Sequence, residues 1–443
     1  MYKKKTTPQA SSTVEKKKSK KSPIPQLIRG MKDTLPEDQP WWEATRDQVR
    51  AFANAYSFER IDTPILESTN LFERGVGHDT DIVQKEMYSF VDQGGEHITV
   101  RPEATASVIR AYIEHGMRNK PQPVKLYYYG PMCRHERPQF GRYRQFYQCG
   151  FESLGDQHPV LDAEMILIGH RLLKTLGIAA TVQINSIGDE VCRPAYQTVL
   201  KNFFKKNRKT LCESCKRRLH KNPLRILDCK EVKCQEVAQE APQIVDHLCD
   251  ACRAHFVGTL EHLDELEILY ELNPRLVRGL DYYTRTAFEY WYQHENFGDK
   301  VSLGGGGRYD KLAETLGGRH TPGVGLALGI ERIVLLMREL KNYPIIGFHP
   351  DVFIAQLGEQ ARKKALRLFE DLRASGIKVR QFFARDGLGV QLGIASRLGA
   401  KFTLILGQKE ILDQTVLVRD METGSQEVVA YEKIVWDVQK RLK

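Results

Sequence analysis

The sequence lacks long apolar runs and internal repeats. No window approaches about 18 uninterrupted apolar residues, so the sequence predicts no transmembrane helix. Neither an apolar stretch nor an amphipathic arginine pattern follows the first lysines, so we expect no secretory signal or transit peptide, and a cytoplasmic location. We find no Ser/His/Asp arrangement that would supply a nucleophile. Hydrophobic residues still make up 41% of the 443 residues, enough for two or three folded domains.

The positive charge is concentrated at the beginning of the chain. The formal net charge is +10, and residues 1–22 alone contribute +7 through eight lysines and one glutamate. The other residues therefore carry only about +3, by subtraction within the same count. This composition predicts a disordered basic tail over residues 1–25, with at most a non-specific contribution to RNA binding.

The patterns of apolar residues divide the rest of the chain into two domains and an insertion. Residues 26–345 form the first domain, in which VKLYYYGPMCRHE and YRQFYQCGFESLG are typical of two strands joined by a polar loop. Residues 190–270 are charged, helical in pattern and rich in cysteine, which indicates an insertion. After a linker, KNYPIIGFHP, residues 350–443 alternate between strand and helix patterns and predict a small α/β domain with a mainly parallel sheet.

The loop between the two strands is unusually basic. It carries Arg134, His135, Arg137, Arg142 and Arg144 within eleven residues. Planar guanidinium groups suit phosphate oxygens, although the same charges also fit a solvated hairpin tip. The returning strand supplies a glutamine at 148 and a glutamate at 152, which face the same side of an extended strand. This combination favours a site for a nucleotide beside an amino acid.

Two glycine-rich stretches follow. SLGGGGRYDKL has four consecutive glycines after a strand, where the missing Cβ atoms would let a flat ligand approach the backbone. The stretch fits neither a Walker A loop nor a GxGxxG dinucleotide motif, and four glycines also fit a flexible turn. GVGLALGIERI reads as a strand running into a helix, whose Arg332 lies either on the surface or against a terminal phosphate.

Together these motifs resemble the histidyl-tRNA synthetases, which are class II aminoacyl-tRNA synthetases. PILESTNLFERGVGHDTDIVQKEMY is similar to the dimer-forming first motif of class II enzymes, GPMCRHERPQFGRYRQFYQCGFESLG to the second and GVGLALGIERI to the third. LVRGLDYYTRTAFE and SLGGGGRYDKL resemble the signatures of histidine specificity. The resemblance implies an α/β protein, with an α+β catalytic domain on a mixed, mainly antiparallel sheet, a helical insertion and a C-terminal anticodon-binding domain.

The resemblance also implies roles for individual residues. Arg134 and Arg278 would hold the α-phosphate from opposite sides, and Arg332 the γ-phosphate. Glu152 and Tyr283, with Tyr282 beside them, would bind the imidazole of histidine. The remaining residues implied for histidine and ATP are Glu103, Ala104, Thr105, Gln148, Gly304, Gly305 and Gly306. Phe140 departs from the family pattern, in which many members have a basic residue, and this puts one contact to the tRNA acceptor end in doubt.

The implied reaction is ATP-dependent ligation of L-histidine to tRNA(His) through histidyl adenylate, with Mg²⁺ accompanying ATP, in a homodimer without membrane attachment. Charge that builds on the α-phosphate would be stabilised by the arginines, and no covalent nucleophile is required. Two alternatives are a histidine-sensing regulatory subunit of a phosphoribosyltransferase and a class II synthetase for glycine, threonine or proline. The RGLDYYTRT stretch argues against both. The C-terminal α/β domain argues further against the regulatory subunit, and the lack of long N-terminal or editing regions argues against another synthetase.

Six of the nine cysteines lie between residues 212 and 252. LCESCKRR and LCDACRAH are CxxC pairs, and in a reducing compartment such pairs favour metal over disulfides. Cys212, Cys215, Cys249 and Cys252 therefore predict one structural zinc site, although the interval between the pairs exceeds that of a zinc ribbon. The alternative is that they are ordinary core cysteines.

Overall fold

The computed structural model describes residues 24–137, 141–293, 300–343, 349–384 and 387–442. Most of the predicted tail, part of the predicted linker and Phe140 lie outside these ranges. The chain divides between residues 345 and 346 into two compact units, here called the N-terminal and C-terminal units.

The N-terminal unit combines long strands with helices on both sides. Its strands are β1 (Glu59–Arg60), β2 (Leu66–Ser68), β3 (Tyr88–Val91), β4 (His97–Val100), β5 (Val124–Cys133), β6 (Gln145–Leu154), β7 (Thr181–Ser186), β8 (Tyr270–Leu272), β9 (Thr284–Gln293), β10 (Lys300–Arg308) and β11 (Gly323–Gly329). Its α-helices are α1 (Gln39–Ala55), α2 (Thr69–Val76), α3 (Thr105–Glu114), α4 (Pro159–Thr175), α5 (Arg193–Lys206), α6 (Glu213–Lys221), α7 (Val232–Gln239), α8 (Asp250–Glu265), α9 (Leu312–Thr315) and α10 (Ile330–Leu340).

Eight of these strands form one sheet in the order β1-β5-β6-β11-β10-β9-β7-β8. The outermost pairs, β1 with β5 and β7 with β8, are parallel, and the pairs between them are antiparallel. The mixed, mainly antiparallel sheet confirms the predicted fold class. A separate three-stranded sheet has the order β2-β4-β3.

Helix α4 packs on one face of the large sheet and fixes its central strands. The Tyr290 hydroxyl of β9 donates to the carbonyl oxygens of Met165 and Ile166, at 3.1 and 3.0 Å. The sheet side of this core holds Phe151 and Phe288, both fully buried. Since burying such a side chain stabilises by about 1.5–3 kcal/mol, this layer holds the sheet rigid.

A buried ion pair anchors the end of β10 to α4. Arg308 and Asp162 are both fully buried, and Arg308 Nε lies 3.0 Å from Asp162 Oδ2. Burial alone would raise the pKa of Asp162, but the Arg308 guanidinium and His255 hold that pKa at about 2. Removing one partner would leave an unpaired buried charge, so the pair fixes the strand that carries the glycines.

The segment between β7 and β8 is helical and contains α5 to α8. Among its apolar side chains, Leu200, Phe204 and Leu219 are fully buried. They belong to the same core cluster as Tyr282, Tyr283 and Tyr309 on the second face of the sheet. The helical segment is therefore packed directly behind these tyrosines.

The C-terminal unit is a smaller α/β structure. Its strands are β12 (Val352–Gln356), β13 (Val379–Gln381), β14 (Phe402–Leu406), β15 (Thr415–Asp420) and β16 (Gln426–Ala430). Its helices are α11 (Glu359–Ala374), α12 (Leu388–Arg397), α13 (Gln408–Leu412) and α14 (Ile434–Leu442).

The prediction of a mainly parallel sheet in this unit is wrong. In the order β13-β12-β14-β15-β16, the first two pairs are parallel and the last two are antiparallel. Parallel strands need a connection of about a dozen residues or more, whereas residues 407–414 before β15 and 421–425 after it are shorter. In the second connection, Asp420 Oδ1 accepts from the backbone N–H groups of Glu422 and Thr423 at 2.9 and 2.8 Å and turns the chain into β16. Among all helices in the described ranges, none has the length and apolarity that a membrane span requires.

Candidate active site

A pocket of about 300 Å³ opens where β6, β9, β10 and β11 lie side by side. Eleven of the predicted site residues line it: Glu103, Thr105, Arg134, Gln148, Glu152, Arg278, Tyr282, Tyr283, Gly304, Gly305 and Arg332. The other two do not. Ala104 is fully buried as the N-cap of α3, and Gly306 faces the neighbouring strand. The structure thus brings residues from six separate stretches of sequence to one cavity.

Glu152 lies at the bottom of this pocket, 1% exposed. Its Oε1 accepts from the Thr105 hydroxyl at 2.8 Å, and its Oε2 accepts from the hydroxyl of Tyr309. Burial raises the pKa of Glu152 to about 8, and the nearby Glu103 adds to the shift, while the two hydroxyl donors oppose it. A carboxyl group in this state can exchange a proton or a hydrogen bond with a ligand near neutral pH.

Glu103 has a structural function as well as a place in the pocket. Its two carboxylate oxygens accept from the backbone N–H groups of Thr105 and Ala106, at 2.8 and 2.9 Å, in the first turn of α3. Burial raises its pKa, and these backbone donors pull it down. Tyr282 Oη lies 3.5 Å from Glu103 Oε2. The carboxylate is therefore held in one orientation before any ligand arrives.

Arg134 comes directly after β5 and points along the pocket. Its Nε donates to the carbonyl oxygen of Pro102 at 2.8 Å, and its guanidinium lies 5.4 Å from the centre of the Phe146 ring. Glu136 lies 3.6 Å from Arg134 and also pairs with Arg142 at 3.1 Å. The guanidinium is thus oriented while donors on its other nitrogens remain for a ligand.

Arg278 is paired with Glu289 of β9. Its guanidinium lies 5.6 Å from the centre of the Tyr283 ring, and its buried Nε has no hydrogen-bond partner among the described residues. Although burial alone would lower the pKa of Arg278, Glu289 raises it above its ordinary value, so the group stays charged. An oriented buried cation with an unused donor is suited to an anionic ligand.

Arg332 lies in the first turns of α10 and donates to the carbonyl oxygen of Ser302. Burial lowers its pKa to about 10, and the positive charge of Arg142 adds to this effect. Two like charges held together in a cleft favour a bound anion, because the anion relieves their repulsion.

The four glycines lie inside β10 and not in a flexible turn, so that alternative is excluded. A Cβ atom added at Gly304 or Gly305 would lie under 3.0 Å from a backbone carbonyl oxygen of the next strand. A Cβ at Gly325 in β11 would overlap Glu152 Oε2, since these two residues are direct partners across the strands. Glycine is required here because the strands approach too closely for any side chain.

Sequence reasoning missed several residues of this site. Tyr309 and Glu289 bond directly to Glu152 and Arg278, and Glu136 orients two arginines. The sequence contains a signal for only some of these residues. Tyr309 follows the glycines in the RYD triplet. The partner of Arg278 is eleven residues away on β9, and only the fold identifies it.

The predicted zinc site is not formed as one cluster. The thiols of Cys212 and Cys215 lie with those of Cys229 and Cys234, and those of Cys249 and Cys252 lie with Cys192 and the Asp189 carboxylate. The prediction of a single site over both CxxC pairs is therefore wrong. The pairs stand at the beginnings of two different helices, α6 and α8, and each finds its partners locally.

Comparison with known proteins gives the identity of the chain. A family model described as histidyl-tRNA synthetase matches residues 30–333, and one described as anticodon binding domain matches residues 351–441. The chain belongs to the histidyl-tRNA synthetase family. A histidine–tRNA ligase of Dehalococcoides mccartyi is 45% identical over 94% of this chain and 100% of its own length. One from Halothermothrix orenii is 44% identical over 93% and 98%.

Solved structures agree with this result. The apo histidyl-tRNA synthetase of S. aureus is 37% identical, covers 94% of this chain and 100% of its own, and has a TM-score of 0.78. The family's reaction is ATP-dependent ligation of histidine to tRNA through an adenylate, so the resemblance, the predicted fold class and the enzyme class are confirmed. A chain described as a phosphoribosyltransferase regulatory subunit/histidyl-tRNA synthetase, from Bacillus halodurans, is 22% identical with a TM-score of 0.61 and shares the fold.

Proposed function

We propose that the pocket binds histidine at its Glu152 end and ATP along its arginines, and that it forms histidyl adenylate there. The observation that carries the proposal is the convergence of a buried proton-sharing carboxyl group, Glu152, and two oriented guanidinium groups, Arg134 and Arg278, on one cavity. A histidine carboxylate and an α-phosphate are both anions, and cations on two sides of the cavity bring them together.

Each arginine is held by a different part of the protein. The carbonyl oxygen of Pro102 and the carboxylate of Glu136 orient Arg134, and the carboxylate of Glu289 orients Arg278. Negative charge grows on the α-phosphate as the histidine carboxylate attacks, and pre-oriented donors stabilise it without reorganising. Arg332 binds the γ-phosphate end of ATP, at the α10 side of the pocket.

Histidine specificity follows from the polar groups at the other end. Glu152 and Tyr283, with Tyr282 beside them, take the two imidazole nitrogens, while Glu103, Thr105 and Gln148 surround the α-amino group. Gln148 Oε1 is buried without a partner among the described residues, so a ligand ammonium would satisfy it. An amino acid without a ring donor and acceptor would leave these buried groups unpaired, which gives strong discrimination without editing.

The pocket suits Mg²⁺ that arrives on ATP. Mg²⁺ at phosphate sites commonly takes one or two carboxylates and completes its shell with phosphates and water. Glu136 and Glu289 line the pocket, but both are bonded to arginines, and no cluster of three potential ligands lies there among the described residues. When bound, the ion neutralises phosphate charge, while the arginines of this chain orient the reacting groups.

The three-stranded sheet is our candidate for the homodimer interface. Its outer face carries Leu66 and Phe90, 52% and 47% exposed, with Ile98 and Val100 on the strand between them. The opposite face is closed by Thr99, which bonds to Thr69 of α2. A contiguous apolar face of this kind marks a protein interface, and its first strand, with Leu66, belongs to the first class II motif.

The C-terminal unit and the location complete the proposal. Residues 351–441 match an anticodon-binding family, and we infer that the domain over residues 350–443 contacts the anticodon stem-loop of tRNA(His). We place the chain in the cytoplasm, because its nine cysteines are all unbridged, as a reducing compartment requires.

ATP–pyrophosphate exchange with each of the twenty amino acids tests the function. Exchange should require histidine, and Arg278→Ala should slow it by at least ~10²-fold, the usual cost of one lost charge stabiliser. Arg275→Ala is the matched control, because Arg275 is exposed and only three residues away. Near-normal exchange in Arg278→Ala, or exchange with another amino acid, would contradict the assignment.

A further inference from the structure

We propose that the helical segment between β7 and β8 holds two structural zinc ions. The first site consists of Cys212, Cys215, Cys229 and Cys234, and the second of Asp189, Cys192, Cys249 and Cys252. In each set the four ligand atoms lie within 4.8 Å of one another. The inference is independent of the aminoacylation chemistry, and it concerns how the helical segment is held together.

The first site has the size of a tetrahedral sulfur shell. Zn–S bonds of about 2.3 Å place tetrahedral sulfur atoms ~3.8 Å apart. Cys212 Sγ and Cys229 Sγ lie 3.9 Å apart, and Cys215, Cys229 and Cys234 are buried. The spacing C-x2-C-x13-C-x4-C keeps all four ligands within one short stretch of chain. A site built from both CxxC pairs would instead have to span the longer interval between them.

Backbone donors point at these sulfur atoms. The Cys215 N–H donates to Cys212 Sγ at 3.4 Å, and the Cys212 N–H donates to Cys234 Sγ at 3.2 Å. Cys212 is the N-cap of α6, so its sulfur also lies at the positive end of a helix. N–H groups and helix N-termini stabilise thiolate over thiol, and thiolate is the form that binds metal.

The second site is built in the same way, with a carboxylate as one ligand. Asp189 Oδ1 lies 3.6 Å from Cys192 Sγ and 4.0 Å from Cys249 Sγ, near the ~3.5 Å separation of tetrahedral oxygen and sulfur ligands. Its other oxygen, Oδ2, lies 3.6 Å from the Arg285 guanidinium, which orients the carboxylate towards the thiols. Cys249 is the N-cap of α8, and Cys252 is in its first turn.

Ordinary core cysteines do not explain this arrangement. Such cysteines pack singly, whereas here seven of the nine cysteines are collected in two compact sets whose ligand atoms lie within 4.8 Å of one another. The distances between the ligand atoms fit one tetrahedral metal ion that prefers thiolate ligands in each set. Zinc suits a structural site because it has no redox chemistry.

Each site stands beside an arginine that holds the histidine signature. Arg193, next to Cys192, donates to the carbonyl oxygen of Tyr283 at 2.7 Å. Arg225, four residues before Cys229, donates to the carbonyl oxygen of Arg278 at 2.9 Å. The two ions would therefore fix the backbone that positions both pocket residues, and metal binding would be coupled to local folding.

Metal content of the full chain tests the proposal. We would express the chain with added zinc, purify it without chelator, and measure zinc and iron by elemental analysis and native mass spectrometry. The expected result is two zinc ions per wild-type chain and one in each of Cys229→Ser and Cys249→Ser. Cys133→Ser is the control and should keep two, since Cys133 lies in β5 outside both sets.

A second measurement covers a variant that fails to fold. Co²⁺ titrated into wild-type chain grown without zinc should saturate at two equivalents, with thiolate-to-cobalt charge-transfer absorption. Wild-type chain with one zinc or none, iron in place of zinc, saturation at one equivalent, or disulfides within either set would each overturn the proposal of two zinc sites.

Discussion

The Glu152 carboxyl group should make the unliganded protein less stable as the pH rises. Its pKa is raised from 4.5 to about 8 by burial, so the folded state holds a proton that the unfolded state releases. The associated stability is fully present below about pH 4.5 and is lost as the pH rises through about 8. Between these limits the free energy of unfolding falls by ~1.4 kcal/mol per pH unit from this group, about 5 kcal/mol in total.

Glu152→Gln removes this titration and keeps the shape of the side chain. We would follow urea unfolding by circular dichroism between about pH 5 and pH 8, without histidine and at one protein concentration. Glu331, with a pKa raised by burial to about 7, titrates in both proteins, so the difference between the two profiles isolates Glu152. The wild-type chain should lose stability with pH relative to Glu152→Gln. Parallel profiles would refute the reasoning that Glu152 is protonated in the empty pocket.

Three further predictions concern the pocket, the assembly and the C-terminal unit. Gly325→Ala should lower kcat/KM for histidine in pyrophosphate exchange by about 10²-fold, because its Cβ must displace the Glu152 carboxylate, while Gly389→Ala, with open space around it, should not. Leu66→Glu should convert a dimer into a 50.8 kDa monomer in light scattering. Val428→Glu, at a position that is also exposed but lies in the C-terminal unit, should leave the dimer intact. Deleting residues 346–443 should abolish charging of tRNA(His) and leave exchange largely unchanged; equal loss of both would assign the unit a role in folding.

Local patterns predicted much of this structure, and contacts between distant residues did not follow from them. The two predicted strands on either side of residue 134 appear as β5 and β6, because their apolar patterns are uninterrupted. The antiparallel strand β15 was misjudged, since its direction depends on the short connections before and after it and not on its own composition. The resemblance pointed to Glu152, but the two hydroxyl donors that oppose the rise in its pKa come from other elements.

The cysteines also show that contacts between distant residues could not be predicted from local patterns. Spacing along the chain predicted that Cys212 and Cys249 belong to the same metal site. In the structure, Cys212 lies with Cys229, and Cys249 lies with Cys192. Asp189 could not have been selected from sequence, because a single aspartate before a helix is far more often a turn or cap residue. Ligand sets assembled across a helical segment require the packing of that segment to be known.

The four glycines of β10 restrict how this gene can change. At each position from Gly304 to Gly307, an added Cβ would lie under 3.0 Å from a carbonyl oxygen of β9 or β11. Every single-base change of a glycine codon that replaces the amino acid introduces a Cβ. No amino-acid replacement that one base change can produce at these four codons is therefore neutral. A backbone oxygen cannot rotate away as a side chain can. The stretch can therefore evolve only together with the strands beside it, and in a library of single mutants it should appear as four adjacent positions without a tolerated replacement.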